Sequence, residues 1–534
     1  MVGIDSFIDN IIERKDISPE KDQDSEEHKI TIIEETPEEK KVRRSLAYSV
    51  MDGSFYSAMV GFGESIFSMF AIFLKATSVQ LGLISSLPQT LGSIFQLFAR
   101  NILEKFPSRK SYVLFFAFLQ VLCMLPLPLA YFFFKGNFMV YLLILVSMYY
   151  ITGMLINPAW TSWMGDLVPG HVRGSYFGKR NAITSAVSFI TMMIGGFLLS
   201  YFTKSPIVGF TLLFMLASLM RFFSWIFLSL QYEPPSKGII HNNVTLKEFL
   251  SEADMQNYGI FILIMSLMNI AVYVASPFFI AYMHNDLGYS YTLIAVVNAI
   301  AILVKFLFNP LWGKLCDRFS SQKIFTISAF LMPAVPILWV FSPSLVWIVF
   351  AQIFSGFAWS AWEISSANFI FEMVPKNKRV SSSSYMNLFA GIGILIGGIL
   401  GGFLISQLKV LVVGNPVIWS KYFIVFLVSG ILRYAVSFTF IPKVKDTKIV
   451  EPVSSSRFLQ VMFASAFPTT GVSKYVVPRK SHEENHEMLH TVIVNEKDTI
   501  KEISEKIENS DEKNSMNEKQ ESEKSAPDFH EETR

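Results

Sequence analysis

Twelve stretches of the sequence are long and apolar enough to cross a bilayer as helices, and they constrain the fold more than any other feature. A spanning helix needs about 20 mostly apolar residues to cover a hydrocarbon core of roughly 30 Å. Helices are expected because backbone polar groups in lipid must be satisfied within the segment, and the alternation of barrel strands is absent. We number these stretches spans 1 to 12: 47–74, 80–100, 111–134, 138–162, 180–203, 207–230, 257–283, 290–312, 324–342, 344–369, 384–408 and 417–441.

The composition agrees with a membrane protein and argues against several other classes. Only 16% of the 534 residues are charged, against about 25% in soluble domains. The middle of the chain is too apolar for a nucleic-acid-binding module. Cys123 and Cys316 are far apart, which excludes a disulfide framework or a CxxC metal site. Without a P-loop or a nucleophile–base pair, we expect no enzyme activity, no cofactor and no metal.

Loop charge predicts the orientation of the spans. The loops on one side hold 15 Lys and Arg residues and those on the other side hold 5. The positive-inside rule places the first side, with both termini, in the cytoplasm of a cell-membrane protein. The predicted domains follow: a disordered acidic tail, a six-helix bundle, a cytoplasmic loop, a second six-helix bundle and a disordered polar tail, over 1–46, 47–230, 231–256, 257–441 and 442–534.

The two six-span halves resemble each other in sequence. Asp166 and Arg173 recur 206 residues later as Glu372 and Arg379, and a Gly-Gly-Phe-Leu segment recurs at the same offset. Six helices per half in one orientation form parallel repeats, related by an axis along the membrane normal. The chain is therefore predicted to be all-α, with twelve transmembrane helices in two parallel repeats and a site between them.

The loop between spans 8 and 9 resembles a motif of the major facilitator superfamily. Residues 313–323 are similar to its G-x-x-x-D-R-x-G-R-x-K/R loop, with Ser320 and Ser321 as departures. The copy at 100–110 departs further, and 158–181 is similar to a prokaryotic subgroup without an assigned substrate. The resemblance covers about 45–441 and implies that family's fold. With the repeat, it suggests gating or structural roles for the charged residues Asp317, Arg318, Glu104, Lys105, Asp166, Arg173, Glu372, Arg379, Arg221 and Arg433.

Glu64 in span 1 is a candidate for solute contact or proton coupling, because an ionisable group inside a span is costly. Gly53, Ser57, Gly61 and Ser68 fall on the same helix face, and such a small, polar face is expected at a cavity or a close helix contact. Two interpretations remain open. Glu64 binds and releases a proton as access alternates, or it is a neutral, hydrogen-bonded acid that only packs helices.

Glu363 in span 10 is the second carboxyl candidate, and Asn157 occupies the equivalent position in span 4. Trp359 beside this carboxyl suits a flat or cationic ligand, or it is only a core aromatic. Lys305 in span 8 either pairs with Glu363 or extends toward the inner headgroups. Asn269 in span 7 completes the candidate substrate or coupling residues.

Arg221 and Arg433 occupy equivalent places in the inner halves of spans 6 and 12. This pseudosymmetry favours a shared structural or gating role, in which each arginine either pairs with Asp166 or Glu372 or extends to the inner headgroups. Binding of an anion or of substrate is the alternative. In span 11, Gly393, Gly397 and Gly401 form GxxxG steps, as do Gly398 and Gly402, which predicts close helix packing.

Together these features predict a secondary active transporter that moves a small solute by alternating access. Protons are a candidate coupling ion, as in a symporter, and membrane lipid surrounds a protein expected to be a monomer. Two alternatives stay open: a receptor or scaffold that signals through its tails without transport, and a lipid flippase on the same fold. The sequence does not identify the solute, the direction or the coupling ion.

Overall fold

The computed structural model describes residues 36–133, 137–169, 173–235, 256–374, 379–408 and 420–445. Within these ranges the chain is helical and forms no strand. The predictions for most of both tails and of the 231–256 loop concern residues outside the described ranges, and they stay predictions.

Spans 1 to 6 form the first half of the bundle. Span 1 is broken, whereas spans 4, 5 and 6 are continuous. Span 1 consists of Pro37–Phe62, the 3-10 turn Glu64–Ile66 and Phe67–Phe73; span 2 is Ser78–Gln96, span 3 is Arg109–Met124 with Leu129–Phe133, and spans 4, 5 and 6 are Phe138–Leu167, Arg173–Tyr201 and Pro206–Leu230. A short helix, Ala99–Leu103, connects spans 2 and 3.

Spans 7 to 12 form the second half. Spans 7 and 9 are each divided in two, and a 3-10 turn, Ile441–Lys443, follows span 12. Span 7 is Gln256–Ala275 with Phe278–Asn285, span 8 is Tyr291–Phe319, span 9 is Ser321–Leu331 with Ala334–Phe341, and spans 10, 11 and 12 are Leu345–Met373, Arg379–Gln407 and Lys421–Phe440.

Ten of the twelve spans are, within the described residues, long and apolar enough to cross a membrane. Spans 2 and 3 are not among these ten; the main helix of span 3 has only 16 residues. Both nevertheless pack inside the bundle, span 2 against spans 4 and 11 and span 3 against spans 4 and 6. The twelve-helix arrangement is therefore present, although two of its members are less apolar or shorter than the others.

The helix of span 1 begins at Pro37, well before the predicted start at residue 47. Thr36 accepts a hydrogen bond from the Glu39 N–H at 3.3 Å, and the Glu39 carboxylate accepts one from the Thr36 N–H at 2.9 Å. This capping box starts a helix before the apolar run begins. Leu46 is already buried, so the predicted tail boundary at 46 is wrong.

Glycines bring span 11 close to two neighbours, which confirms the packing predicted from its GxxxG steps. A Cβ added at Gly393 would lie within 3.0 Å of the Ser266 carbonyl oxygen in span 7, and one added at Gly398 would meet Ser86 in span 2 as closely. The contact with span 2 is reciprocal, because a Cβ at Gly82 would meet the Gly398 carbonyl oxygen. Such approaches are possible only without side chains.

The two halves meet along spans 2 and 11. The Thr90 hydroxyl donates to the Gly391 carbonyl at 2.6 Å, deep in the bundle. Closer to the end of span 2, Asn387 Nδ2 donates to Gln96 Oε1 at 3.1 Å. This contact, the span 2–span 11 seam, therefore extends over much of the length of both helices.

The halves also meet at spans 5 and 8. The Thr292 hydroxyl donates to the Gly196 carbonyl at 2.6 Å and also contacts the Ser200 hydroxyl. Span 5 ends at Tyr201 and span 8 begins at Tyr291, so these contacts lie at one end of the bundle. We call the opposite end, where span 1 begins and spans 6 and 12 finish, the terminal end.

Candidate functional site

A cavity of about 420 Å³ lies in the first half, among spans 1, 3, 4, 5 and 6. It extends from Glu64, beyond the middle of span 1, to Asp52 and Leu228, nearer the terminal end. Aromatic side chains form part of its wall. Its polar lining residues are Asp52, Glu64, Gln120, Asn157, Arg180 and Arg221.

Glu64 is held by two adjacent tyrosines of span 4. The Tyr149 hydroxyl donates to one carboxylate oxygen at 2.6 Å, and the Tyr150 hydroxyl donates to the other at 3.1 Å. The helix of span 1 ends at Phe62, and Glu64 opens the short 3-10 turn. Both carboxylate oxygens are therefore bound by hydroxyl groups at a break in a membrane helix.

The small, polar face predicted for span 1 is divided between three neighbours. Gly53 and Gly61 approach span 5, where a Cβ would meet Arg180 and Thr191 respectively. Ser68 instead contacts Ser85 of span 2 at 3.5 Å, while Glu64 reaches span 4. The 3-10 turn changes the angle between successive residues, so a face extrapolated through it with α-helical spacing is not continuous.

Asp52 and Arg221 are connected through a serine at the other end of the cavity. The Ser224 hydroxyl donates to Asp52 Oδ1 at 2.6 Å and accepts from an Arg221 terminal nitrogen at 2.6 Å. The Arg221 guanidinium lies over the Tyr56 ring, 5.0 Å from its centroid. Arg221 is only 3% exposed, and its buried Nε makes no hydrogen bond to the described residues.

Arg180 of span 5 brings a second guanidinium to the cavity. Its Nε donates to the Ser49 carbonyl at 3.2 Å, and the group lies 4.7 Å from the centroid of the Trp160 ring. Arg180 and Arg221 both interact electrostatically with Asp52. The face of an aromatic ring attracts a cation, and here Tyr56 and Trp160 already face arginines of the protein.

Glu363 and Lys305 form an ion pair in the second half, with their charged atoms 2.5 Å apart. Pairing, one of the two predicted alternatives for Lys305, is confirmed. The Glu363 side chain is 46% exposed and is not part of the cavity wall. Its counterpart Asn157 does line the cavity and accepts a hydrogen bond from Thr161 at 3.3 Å.

Trp359 and Asn269 lie away from the cavity. Trp359 packs, partly buried, against the apolar core around span 7, which agrees with its interpretation as a core aromatic. Asn269 Nδ2 donates to the Met265 carbonyl of its own helix at 2.8 Å. Their proposed part in substrate contact receives no support from the cavity.

Asp166 pairs with Arg109 at 2.6 Å, and Arg109 also contacts Glu233 at 3.2 Å. Asp166 is therefore the partner of a nearby basic residue, but the ion pair with Arg221, one of the alternatives for that arginine, is not formed. The start of span 3 brings Arg109 to the end of span 4, whereas Arg221 lies deeper and turns toward Asp52 through Ser224.

In the second half, Arg433 is 2% exposed and donates to the Met332 carbonyl at 3.0 Å. Glu372 accepts a hydrogen bond from the Ser321 hydroxyl at 2.8 Å. The two equivalent arginines thus differ in environment, because Arg221 lines a cavity and Arg433 caps a backbone carbonyl.

The predicted gating residues are only partly described. Glu104 pairs with Arg100 at 3.0 Å on an exposed surface, and Lys105 is exposed beside it. The side chains of the remaining four lie outside the described part of the chain, so their gating roles stay predictions: Asp317, Arg318, Arg173 and Arg379.

Several residues that line the cavity were not predicted from the sequence. Asp52 and Arg180 lie near the starts of spans 1 and 5 and are not among the candidate residues that the sequence identifies. Tyr149 and Tyr150 are not distinguishable by sequence in a chain with 19 Tyr and 50 Phe. The pairing of a carboxyl group in span 1 with two hydroxyls in span 4 depends on helix packing, and the sequence carries no direct signal of it.

Comparison with known proteins identifies the family. The model of the Major Facilitator Superfamily matches residues 53–271 and, separately, 260–453, which correspond to the two halves. No curated protein matches the chain significantly.

Solved structures of transporters share the fold. The nucleoside transporter NupG is 14% identical, with a TM-score of 0.55 over 76% of this chain and 99% of that one. A bacterial homologue of the iron transporter ferroportin, in an inward-facing state, is 12% identical, with a TM-score of 0.57 over 76% and 98%. A POT family transporter in complex with a thioalcohol conjugated peptide is 13% identical, with a TM-score of 0.56 over 76% and 97%. The chain is a multi-pass membrane protein that belongs to the Major Facilitator Superfamily of transporters.

Proposed function

We propose that the protein is a secondary active transporter that moves a small solute by alternating access, with Glu64 as the group that binds the coupling proton. The observation that carries this proposal is the place of Glu64. It lies on the wall of a cavity, at a break in span 1, with both carboxylate oxygens bound by tyrosine hydroxyls.

The chemistry of this arrangement suits reversible protonation. A charged carboxylate inside a membrane span is costly, so the neutral acid is favoured wherever water is excluded. Hydroxyl groups can donate to either form, because the protonated acid keeps an accepting oxygen. Glu64 can therefore gain and lose a proton without rearrangement of Tyr149 or Tyr150, as the cavity opens to water on one side and then the other.

The contacts between the halves support access from one end. Spans 5 and 8 touch at the end opposite the terminal end, through Thr292 with Gly196 and Ser200. Asn157 and Glu363, at equivalent positions nearer the terminal end, are both exposed. Parallel repeats rock about a site between them. With both termini in the cytoplasm, as loop charge predicts, the described state opens inward.

A small molecule is the cargo that the cavity fits. Ligand sites for small molecules typically measure about 300–1,000 Å³, and this cavity measures about 420 Å³. The transporters with the same fold are named for a nucleoside, iron and a peptide conjugate. Since the same fold serves such different solutes, the lining side chains must determine the cargo.

Transport by proteoliposomes, with and without a pH gradient, tests the proposal. Solutes come from a thermal-shift panel, because a ligand of the native state raises apparent stability. We expect Glu64→Gln to abolish accumulation driven by the pH gradient while it retains exchange of labelled solute across the membrane. Glu38→Gln, at an exposed glutamate in the first turn of span 1, is the control. Unchanged proton-driven accumulation in Glu64→Gln would refute a coupling role for Glu64.

A further inference from the structure

We propose that the cavity binds a monoanionic small solute that also carries a hydrogen-bond donor, such as a hydroxy-monocarboxylate, and that the solute's charge balances the proton on Glu64. The inference rests on the proposed function in one respect, since it takes Glu64 as the coupling group. It adds the chemical class of the cargo and the charge moved in each cycle.

Arg221 supplies the anion site. It lines the cavity, it is almost fully buried, and its Nε makes no hydrogen bond to the described residues. One terminal nitrogen of the guanidinium donates to Ser224, and the group lines the cavity. Guanidinium groups match the geometry of carboxylates, which accept from two of their nitrogens at once. A carboxylate in the cavity would therefore bind the part of the Arg221 guanidinium that lines it, and Arg180 adds a second positive charge nearby.

When Glu64 is protonated, the side chains of the cavity have a net positive charge that one negative charge on the solute would neutralise. Arg180 and Arg221 contribute two positive charges and Asp52 contributes one negative charge. With Glu64 ionised the net charge is zero, and with Glu64 protonated it is one positive charge. A monoanion therefore binds best when Glu64 carries its proton, and by linkage the anion strengthens proton binding to the same degree.

The other groups around Glu64 do not change this balance. The residues that donate to it or interact with it electrostatically are Tyr56 of span 1, Tyr149 and Tyr150 of span 4 and Tyr273 of span 7. Asp52 of span 1, Arg180 of span 5 and Arg221 of span 6 line the same cavity and are the charges already counted. The four tyrosines are neutral at physiological pH.

Gln120 supplies the site for a donor. Its Nε2 donates to the Tyr149 carbonyl at 3.2 Å, which fixes the orientation of the amide. Its Oε1 is buried, belongs to a cavity-lining residue and accepts no hydrogen bond from the described residues. The oxygen is enclosed by neighbouring side chains, so a hydroxyl or amide N–H on the solute would satisfy it after a small movement of those side chains.

A cationic solute fits this cavity poorly. Quaternary and primary amines are bound by the faces of aromatic rings, but Arg221 covers Tyr56 and Arg180 covers Trp160. A dianion would leave a net negative charge even when Glu64 is protonated. These two classes are the alternatives that an experiment must separate from monoanions.

Thermal shift of the purified full-length protein with defined probes tests the binding class. The probes are mandelate, phenylacetate, succinate, choline and glucose, each at pH 5.5 and 8. We expect mandelate to raise Tm most, phenylacetate to raise it less, and both to act more strongly at acidic pH. Arg221→Gln should weaken the apparent mandelate affinity about ten- to hundred-fold, as expected for loss of a charge-assisted hydrogen bond. Gln120→Leu should make mandelate and phenylacetate equivalent.

Two further variants keep the result interpretable. Arg180→Gln changes a partly exposed cavity residue and should also weaken mandelate binding, even if the buried Arg221 variant does not fold. Arg433→Gln changes the equivalent arginine outside the cavity and should keep the ligand-induced shift. The inference is overturned if choline, glucose or succinate stabilises the protein more than the monoanions, or if no monoanion raises Tm. Undiminished mandelate binding in both cavity variants would overturn it as well.

Transport then separates this inference from the proposed function. A monoanion moved with one proton carries no net charge, so a membrane potential should change the initial uptake of mandelate less than two-fold, whereas a pH gradient should drive accumulation. Monoanion binding without any proton-driven flux would contradict the proposed function but not the binding class. Proton-driven uptake that is strongly accelerated by the potential would refute the charge balance while leaving transport established.

Discussion

At the scale of single residues, Glu64 is bound unequally by its two tyrosines. The hydrogen bond from Tyr149 is 2.6 Å long and that from Tyr150 is 3.1 Å long. Shorter bonds to carboxyl groups are the stronger ones. Tyr149 is also almost fully buried, whereas Tyr150 is only partly buried, so water can replace the Tyr150 hydroxyl more readily than that of Tyr149.

We therefore expect Tyr149→Phe to destabilise the protein more than Tyr150→Phe. Loss of the Tyr149 hydroxyl removes a hydrogen bond worth about 1–3 kcal/mol at a carboxyl group, while water partly compensates for loss of the Tyr150 hydroxyl. Thermal denaturation of the purified variants measures the difference. Equal melting temperatures, or a lower one for Tyr150→Phe, would contradict this ranking.

The sequence predicted Glu64 but not its partners. A lone carboxyl group in an apolar run can be recognised without a structure, because an ionisable group inside a membrane span is costly and therefore rare. Tyr149 and Tyr150 are ordinary aromatic residues of an apolar span until packing places span 4 beside the break in span 1. Asp52 was not identified as a candidate, because its depth depends on the helix start at Pro37 and on its contact with Ser224.

At the scale of elements, the span 2–span 11 seam depends on the absence of side chains. Gly82→Ala places a methyl group against the Gly398 carbonyl oxygen. Overpacking of this kind typically costs about 1–3 kcal/mol, so we expect a lower melting temperature and reduced transport. Both effects have one cause, since the two helices are forced apart where the halves meet.

Gly259→Ala is the matched control for this substitution. Gly259 also lies in a membrane helix, span 7, but a Cβ there would meet no atom within 4 Å. Alanine is the better helix former by about 0.5–1 kcal/mol, so the melting temperature should stay unchanged or rise. A loss of stability at Gly259 as large as at Gly82 would show that packing at the seam is not the cause.

The residues that follow span 6 are hydrogen-bonded to the start of span 3 and the end of span 4. Lys110 Nζ donates to the Gln231 carbonyl at 2.8 Å, and Trp163 Nε1 donates to the Tyr232 carbonyl at 3.0 Å. Arg109 joins the same segment through Glu233 while it pairs with Asp166. Residues 231–235 therefore bind across the ends of spans 3 and 4 before the loop continues.

Arg109→Gln should lower the free energy of unfolding by about 2–3 kcal/mol, because it removes the cation that pairs with two largely buried carboxylates, Asp166 and Glu233. The Arg109 side chain is 10% exposed, and those of Asp166 and Glu233 are 20% and 19% exposed. Arg100→Gln, at a pair whose side chains are 52% and 62% exposed, should change stability by less than about 0.5 kcal/mol. Chemical denaturation of both variants measures this contrast, and similar losses would contradict it.

Helices were predicted well from the sequence, but their ends and breaks were not. Apolar length identified every span, including span 2 and the divided span 3. The start of span 1 was missed because apolar content rises only near Leu46, although Thr36 and Glu39 already form a capping box. The break at Glu64 was missed because a glycine at position 63 is common in membrane helices and does not by itself predict a 3-10 turn.

At the scale of the whole molecule, alternating access requires the contact between spans 5 and 8 to separate. The hydroxyl groups of Ser200 and Thr292 touch across this contact. Ser200→Cys combined with Thr292→Cys should form a disulfide on oxidation and abolish transport, and reduction should restore it. The two natural cysteines are buried and free, so they should react little. Transport that persists after complete crosslinking would contradict rocking of the halves.

Ser68→Cys combined with Ser85→Cys provides the control for crosslinking. These serines contact each other at 3.5 Å between spans 1 and 2, within the first half. A half that moves as a rigid body keeps this distance, so oxidation should leave transport largely intact. Inhibition equal to that of the pair between the halves would instead indicate rearrangement inside the first half.

The sequence repeat predicted the two halves, and the family match to each half confirms them. The repeat also predicted equivalent roles for Arg221 and Arg433. The structure places these two residues in different surroundings, so the repeat does not predict their contacts. Equivalent positions share a fold but not their surroundings, because Ser224 and Asp52 accompany Arg221, whereas Arg433 meets a backbone carbonyl. Asymmetry between repeats arises from the neighbours of a residue, which no internal alignment reveals.

The cavity lies entirely in the first half, which predicts that the two halves contribute different properties to transport. Exchange of halves between related transporters would test this. Every residue that lines the cavity belongs to spans 1 to 6. Under the proposed function, the first half therefore determines the choice of cargo, and the second half moves relative to it. If halves are exchanged between two related transporters, cargo preference should be inherited with the first half and turnover with the second.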